Sequence, residues 1–322
     1  MEARHINPRT RLDWMDWAKV IAIFIIVLGH LPSPIGQYLF GFSIPFFFML
    51  SGYLEKKRSP KEELTRSFKT VLIPYVIYNL YLLVYSYFTG EYNAHYPLNM
   101  LLGMQWELSM ACRPLWFLLT LFWIRMIYSI FPMKANNVLA MLFAVIICVL
   151  KYTDHLIHPE DNYFQLFEVL ICFPFYMIGY VMKKYKGEAM FNRFHAVPRY
   201  LIILIGLAIG LMVIGINGHV NVFRCYPADN PILFFLSATL VSISLICLIY
   251  NLLNFANGYI RLVSEGTLLI FAVHQSILWP FHSIWPKNTA IIILIAFFTV
   301  AILSVFVYLA KRYCPVLIGK LK

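Results

Sequence analysis

Residues Arg11–His30 read RLDWMDWAKVIAIFIIVLGH, and the run from Val20 to Leu28 within them is wholly apolar. The longer run Trp14–Leu31 that contains it fits the hydrocarbon core of a bilayer as a helix. Pro32 and Pro34 follow at once with no small-residue cleavage pattern between, so the segment reads as a retained first helix and not as a removed signal peptide. Similar runs recur along the chain: Gln37–Leu54, Val71–Phe88, Leu115–Phe131, Val138–Leu150, Phe164–Met182, Tyr200–Ile216, Ile232–Leu253, Thr267–Phe281 and Ala290–Ala310. With the first, they predict a bundle of about ten transmembrane helices.

Composition agrees. The 322 residues are 61% hydrophobic and 13% charged, with a mean hydropathy of +0.72. A soluble domain carries about 45–50% apolar and about 25% charged residues. So few charges cannot cover a water-exposed surface, which excludes soluble, disordered and fibrous classes. The expectation is an all-α polytopic integral membrane protein forming one domain over residues 1–322.

The formal charge of +11 is explained by topology. With a cytoplasmic N-terminus, the inside segments gather Arg4, Arg9 and Arg11, the cluster Lys56, Lys57, Arg58, Lys61, Arg66 and Lys69, then Arg125, Lys134, Lys183, Lys184, Lys186, Arg193, Arg199, Arg261, Lys311, Arg312, Lys320 and Lys322. Outside loops hold only Arg113, Lys151, Arg224 and Lys287, beside the acidic Glu91, Glu107, Asp154, Glu160, Asp161 and Asp229. This bias places both termini in the cytoplasm and calls for no nucleic-acid partner. The expected location is the plasma (inner) membrane. Cys112 and Cys225 fall in outside loops, where a disulfide could join them. Leu98–Leu108 is long enough for a short interfacial helix.

Ionisable residues inside apolar spans are costly, about 2.5–3.5 kcal/mol on insertion scales, so they mark candidate sites. Asp16 and Lys19 are three apart and can pair along one face. Lys19 and His30 are eleven apart, which is three turns plus about 20°, so they share a face with a rise of roughly 16 Å between them. The bland alternative has Lys19 snorkelling, with Asp16 compensating it and His30 capping the helix. Asp16 is too distant along the axis to orient His30, so any orienting partner comes from another helix. Arg66 and Lys69 can face one anion if helical, as a lipid contact or as a cradle for nucleotide phosphates. His274 lies mid-span in LLIFAVHQSILW, as a packing residue or as a second catalytic group. No metal-ligand pattern stands out.

The opening stretch, followed by IPFFFMLSGYL at Ile44–Leu54, resembles the acyltransferase 3 family of membrane enzymes, in particular its fucose 4-O-acetylase-like branch. Further elements agree in order: Lys19 and His30 in the first helix, Arg66 and Lys69 ahead of Pro74, PLWFLLTLFW from Pro114, and FAVHQ at Phe271–Gln275. Two departures stand out. Ser43 occupies a place where relatives often carry a second His, and Lys69 replaces a more usual Arg.

The resemblance implies an acyl-CoA-dependent O-acetyltransferase that modifies polysaccharide. Acetyl-CoA or another small acyl-CoA is the donor substrate, and no cofactor is permanently bound. The implied acceptor is an outside sugar or glycan, lipid-linked or finished. Catalysis falls to His30 as general base, with His274. Donor binding falls to Lys19, Arg66 and Lys69, and support to Asp16, Trp116, Ser51 and Tyr53. Trp116, His274 and Ser43 are the candidate oxyanion donors. Tyr92, Tyr96, Trp106, Tyr163 and Tyr226 could meet sugar faces or form an interfacial belt. The rival reading is a secondary transporter with Asp16, Lys19, His30 and His274 lining its route, although paired broken helices are not evident.

Overall fold

The computed structural model describes residues 11–153, 162–285 and 288–320. Arg4, Arg9, Asp154, Glu160, Asp161, Lys287 and Lys322, used above in the charge bias, lie outside the described residues. The elements are α1 (Asp13–Gly29), α2 (Gly36–Leu54), α3 (Pro60–Ser67), α4 (Ile73–Thr89), α5 (Tyr96–Leu101), α6 (Trp116–Ile130), α7 (Met133–Tyr152), α8 (Leu166–Tyr185), α9 (Ala196–Asn217), α10 (Pro231–Leu252), α11 (Gly258–Glu265), α12 (Thr267–Leu278) and α13 (Thr289–Tyr313). The described residues contain no strand, only one isolated bridge between Asn221 and Tyr226.

Seven helices are long and apolar enough to cross a membrane: Gly36–Leu54, Pro60–Thr89, Met133–Tyr152, Tyr163–Tyr185, Ala196–Asn217, Pro231–Leu252 and Thr289–Tyr313. An eighth is counted if α11 and α12, bent by 73° at Gly266, form one broken span. The remaining expected runs are helical but short. α1 has 17 residues and α6 has 15, against the about 20 that a straight span needs.

Local sequence explains the ends. Ser59 caps α3 reciprocally with Glu62, and Pro60 supplies the first-turn position that lacks an N–H. Asn230 caps α10 by accepting from the N–H groups of Ile232 and Leu233, again with proline next. α3 runs into α4 through a π-helical turn, Phe68–Leu72, which widens the coil just where Lys69 sits.

The outer helices show lipid-facing stripes. α7 exposes Val138, Met141, Leu142, Val145 and Val149 at helical spacing, and α13 exposes Leu294, Phe297, Phe298, Ile302 and Val305 while burying Ala296, Val300, Leu303 and Val307. The centre is the α2–α8 pair, where backbones nearly touch. A Cβ at Gly52 would stand 1.8 Å from the Tyr176 carbonyl oxygen, and one at Gly179 would stand 1.9 Å from that of Met49. Such small-residue contacts drive helix association where lipid removes the hydrophobic advantage.

The interfacial stretch holds α5 and a 3-10 turn at Gln105–Glu107. Cys112 and Cys225 are both buried free thiols, and Cys112 is hydrogen-bonded to Tyr96 and Ser109. The disulfide that their placement allowed is not formed.

Candidate active site

α1 carries a cavity at each end. At the end bearing Lys19, a cavity of about 480 Å³ is lined by Lys19, Ser51, Glu55, Arg66, Arg125, Phe117, Glu265, Phe271 and Lys320, among others. Four cations thus face two carboxylates, leaving a positive surplus. At the other end a cavity of about 290 Å³ is lined by His30, Phe40, Ser43, Trp106, Arg113, Trp116, Arg224 and Gln275, among others. Phe271 lines both. It packs with Phe117 at 5.1 Å and Phe47 at 6.4 Å between ring centroids, so an aromatic cluster lies where the two cavities meet.

The basic cavity is organised by Glu55, which closes α2 and is nearly fully buried. Its Oε1 accepts from the Lys56 backbone N–H at 2.8 Å, from Arg58 at 2.6 Å and from Arg66 at 3.4 Å. Its Oε2 accepts from the Tyr176 hydroxyl at 2.8 Å and lies 3.6 Å from Arg125 Nε. Burial alone would raise this carboxyl. The charges of Arg125 and Arg66, with the Lys56 N–H and the Tyr176 hydroxyl, outweigh it and hold Glu55 below the ordinary carboxylate range. Glu63 adds a second acid, receiving Arg66 at 3.0 Å and Ser67 at 2.7 Å.

Lys19 lines this cavity with no ion pair among the described residues. The expected pairing with Asp16 is not made. Asp16 instead accepts from Arg11 at 2.5 and 2.9 Å and from Ser264 Oγ at 2.6 Å, tying α1 to α11. The physical reason is that the bidentate guanidinium and the Ser264 hydroxyl occupy the carboxylate oxygens, which a single ammonium would otherwise share. Lys69 is exposed and does not line the cavity with Arg66, because the π-helical turn begun at Phe68 breaks the three-residue alignment that an α-helix would have kept. Ser51 lines the cavity and donates to the Phe47 carbonyl oxygen at 2.9 Å. Tyr53 lines neither cavity and packs edge-on against Trp14, ring centroids 5.1 Å apart.

At the other end His30 caps α1. Its Nδ1 lies 2.8 Å from the Ile26 carbonyl oxygen, which only accepts, so Nδ1 bears the proton. His274 Nδ1 lies 2.8 Å from the Phe271 carbonyl oxygen and 3.1 Å from that of Ile270, so it too is protonated and its Nε2 holds a lone pair. That lone pair faces His30 Nδ1 at 3.3 Å. His30 Nδ1–H is therefore shared between Ile26 and His274, and the Nε2 of His30 is the nitrogen left with a free lone pair. His274 itself is fully buried and does not line the cavity. Its contact with this end of α1 is the one to His30 Nδ1.

Trp116 and Ser43 both line the His30 cavity, and Trp116 stacks on Phe223. Of the five aromatic residues expected to serve sugars or the interface, only Trp106 lines this cavity; Tyr96 is fully buried in the core. Two functional features were missed in the sequence. Gln275, next to His274, lines the cavity with its Oε1 buried and unpartnered. Arg125 and Glu55 form the centre of the basic cavity; their signal was a lone Arg inside the apolar α6 and an acid directly after Leu54.

The family model described as acyltransferase domain (acyltransferase 3) matches residues 12–310. The chain belongs to the acyltransferase 3 family. No curated protein and no solved structure is matched. Membership and the apolar helices together point to a multi-pass membrane acyltransferase, and they leave the transporter reading without support. Both cavities of this acyltransferase fall within the matched residues, apart from Lys320 and its neighbours Ile318 and Gly319.

Proposed function

We propose that this acyltransferase takes an acyl group, acetyl or another small acyl, from cytosolic acyl-CoA and transfers it to a hydroxyl of a sugar or glycan on the other face of the plasma (inner) membrane. The observation that carries this reading is the pair of cavities at opposite ends of α1, meeting at Phe271. The basic one suits phosphates, and the other presents the free Nε2 of a fixed imidazole.

In this reading the donor enters the basic cavity, with its phosphates against Lys19, Arg66 and Arg125 and the exposed Lys69 at its approach. Glu55 and Glu63 keep the two arginines aimed while leaving net positive charge. The extended pantetheine arm is of the same order as the roughly 16 Å rise from Lys19 to His30, so the thioester reaches the aromatic cluster while the nucleotide stays behind. The acceptor hydroxyl enters from the His30 side. His30 Nε2 takes its proton as the oxygen attacks the thioester carbonyl; the C–S bond then breaks, and the leaving thiolate receives that proton from His30. His274 stabilises the imidazolium through the bond at Nδ1. Donors available to the developing oxyanion are the Gln275 amide, the Ser43 hydroxyl and the Trp116 indole N–H.

The test is thermal unfolding of the detergent-purified protein with and without acetyl-CoA. At 100 times its dissociation constant a ligand stabilises the native state by about 2.7 kcal/mol. The expected pattern is a raised midpoint in wild type and His30→Ala and a reduced shift in Arg66→Ala. Silence in all three with acetyl-CoA, free CoA and longer acyl-CoA overturns the reading.

A further inference from the structure

The His30 cavity contains more charge than a neutral sugar requires. Arg113 and Arg224 both line it, and their guanidinium carbons lie 4.1 and 4.2 Å from the ring centroid of Trp106. Their centres are therefore at most about 8 Å apart, a separation at which like charges near a low-dielectric wall repel appreciably. None of the described residues lining the cavity is acidic. Glu107, on the same turn as Trp106, is exposed, and among the described residues no carboxylate comes within 4 Å of either guanidinium. Arg113 Nε is buried with no partner. Asn221, whose Oδ1 accepts from the Arg224 backbone N–H at 3.2 Å, brings an amide to the same wall.

Two convergent guanidiniums, one with an unsatisfied N–H, flank an indole beside a general-base histidine. Both guanidiniums stand over the Trp106 ring, which holds them at the cavity wall, and they offer forks for an oxyanion. We infer that the acceptor is an anionic saccharide, whose carboxylate or phosphate is held between Arg113 and Arg224 while its reacting hydroxyl reaches His30. The inference rests on the reading of this cavity as the acceptor site. It adds what that reading lacks, namely the charge class of the acceptor. The arginines span two separate loops, the turn before α6 and the loop between α9 and α10, so an anion bridging them also joins the two walls of the cavity.

The experiment measures binding without donor. Glucuronate, glucose 1-phosphate and the neutral methyl glucoside are titrated against the detergent-solubilised full chain, with thermal midpoint as readout. The variants are Arg113→Gln, Arg113→Gln with Arg224→Gln, and Arg66→Gln. The expected result is a saturable rise in midpoint with glucuronate, glucose 1-phosphate or both, and none with methyl glucoside. The half-saturating concentration should increase about tenfold or more in Arg113→Gln, with the response lost in the double variant and kept in Arg66→Gln. A response to one anion alone assigns carboxylate or phosphate. Equal responses to the neutral and charged sugars, a response that survives in the double variant, or one that disappears in Arg66→Gln overturns the inference. Unbound, the double variant should melt near wild type, which separates lost binding from lost folding; if it does not, Arg113→Gln alone decides. Because acyl-CoA is absent, failure here leaves the donor test untouched, and failure of the donor test leaves this one readable.

Discussion

His274 Nε2 faces His30 Nδ1 across 3.3 Å, and this bond joins α12 to the end of α1. The Ile26 carbonyl oxygen, 2.8 Å from the same Nδ1, sets the tautomer of His30, and His274 is the second, longer acceptor of that N–H. A histidine in the mid-span FAVHQ element thereby contacts the residue proposed as the general base.

His30→Ala should lower turnover by about 10²–10⁴-fold, the range of a general base, while acetyl-CoA still raises the thermal midpoint. His274→Ala should lower turnover less. His274→Gln should recover part of that loss, because an amide oxygen can accept from His30 Nδ1–H. Steady-state rates of the three variants, with donor half-saturation measured alongside, check this. Equal activity in His274→Ala and His274→Gln would remove the positioning role.

Glu55→Gln leaves Arg58, Arg66 and Arg125 facing a neutral group at a site that is nearly fully buried. Removing one partner of a buried ion pair costs about 3–5 kcal/mol, so this variant should melt well below wild type. Its thermal midpoint in detergent gives the answer.

The same carboxylate sets an acid limit. Its value in the fold lies below the ordinary carboxylate range, so the unfolded chain binds the proton more readily. The stabilisation from Glu55 is therefore complete above about pH 4.5, the ordinary range, and disappears as pH falls through the lowered value. Melting between pH 3 and 7 should show a drop in wild type that is shallower in Glu55→Gln.

Phe271→Trp enlarges a side chain that lines both cavities. Transfer should fall about tenfold or more while acetyl-CoA binding to the basic cavity changes little, since overpacking there costs about 1–3 kcal/mol of fit at the junction and none at the phosphates. A parallel loss of donor binding would mean that the cavities are not in series.

Gly179→Ala places a methyl 1.9 Å from the Met49 carbonyl oxygen. The α2–α8 backbones must separate, and the midpoint should fall by the equivalent of about 1–3 kcal/mol. An unchanged midpoint would show that the pair can yield without cost.

Much of this molecule is written locally. Its apolar runs announced helices in lipid, and each expected run is helical, because a bilayer leaves a single segment no other way to satisfy its backbone. The shared face of Lys19 and His30 follows from helical periodicity alone, and those two residues do line the two cavities. What helical spacing suggested for Asp16 and Lys69 failed. Arg11 and Ser264 compete for Asp16 from outside its helix face, and a π-helical turn shifts Lys69 away from Arg66. The partnership of His30 with His274, the approach of Arg125 to Glu55, and the arrival of Arg224 beside Arg113 on Trp106 join residues far apart in the chain. Periodicity orders neighbours within one helix; which helix faces which is settled by packing, here by glycine contacts that bring backbones together and by buried charges that must find partners.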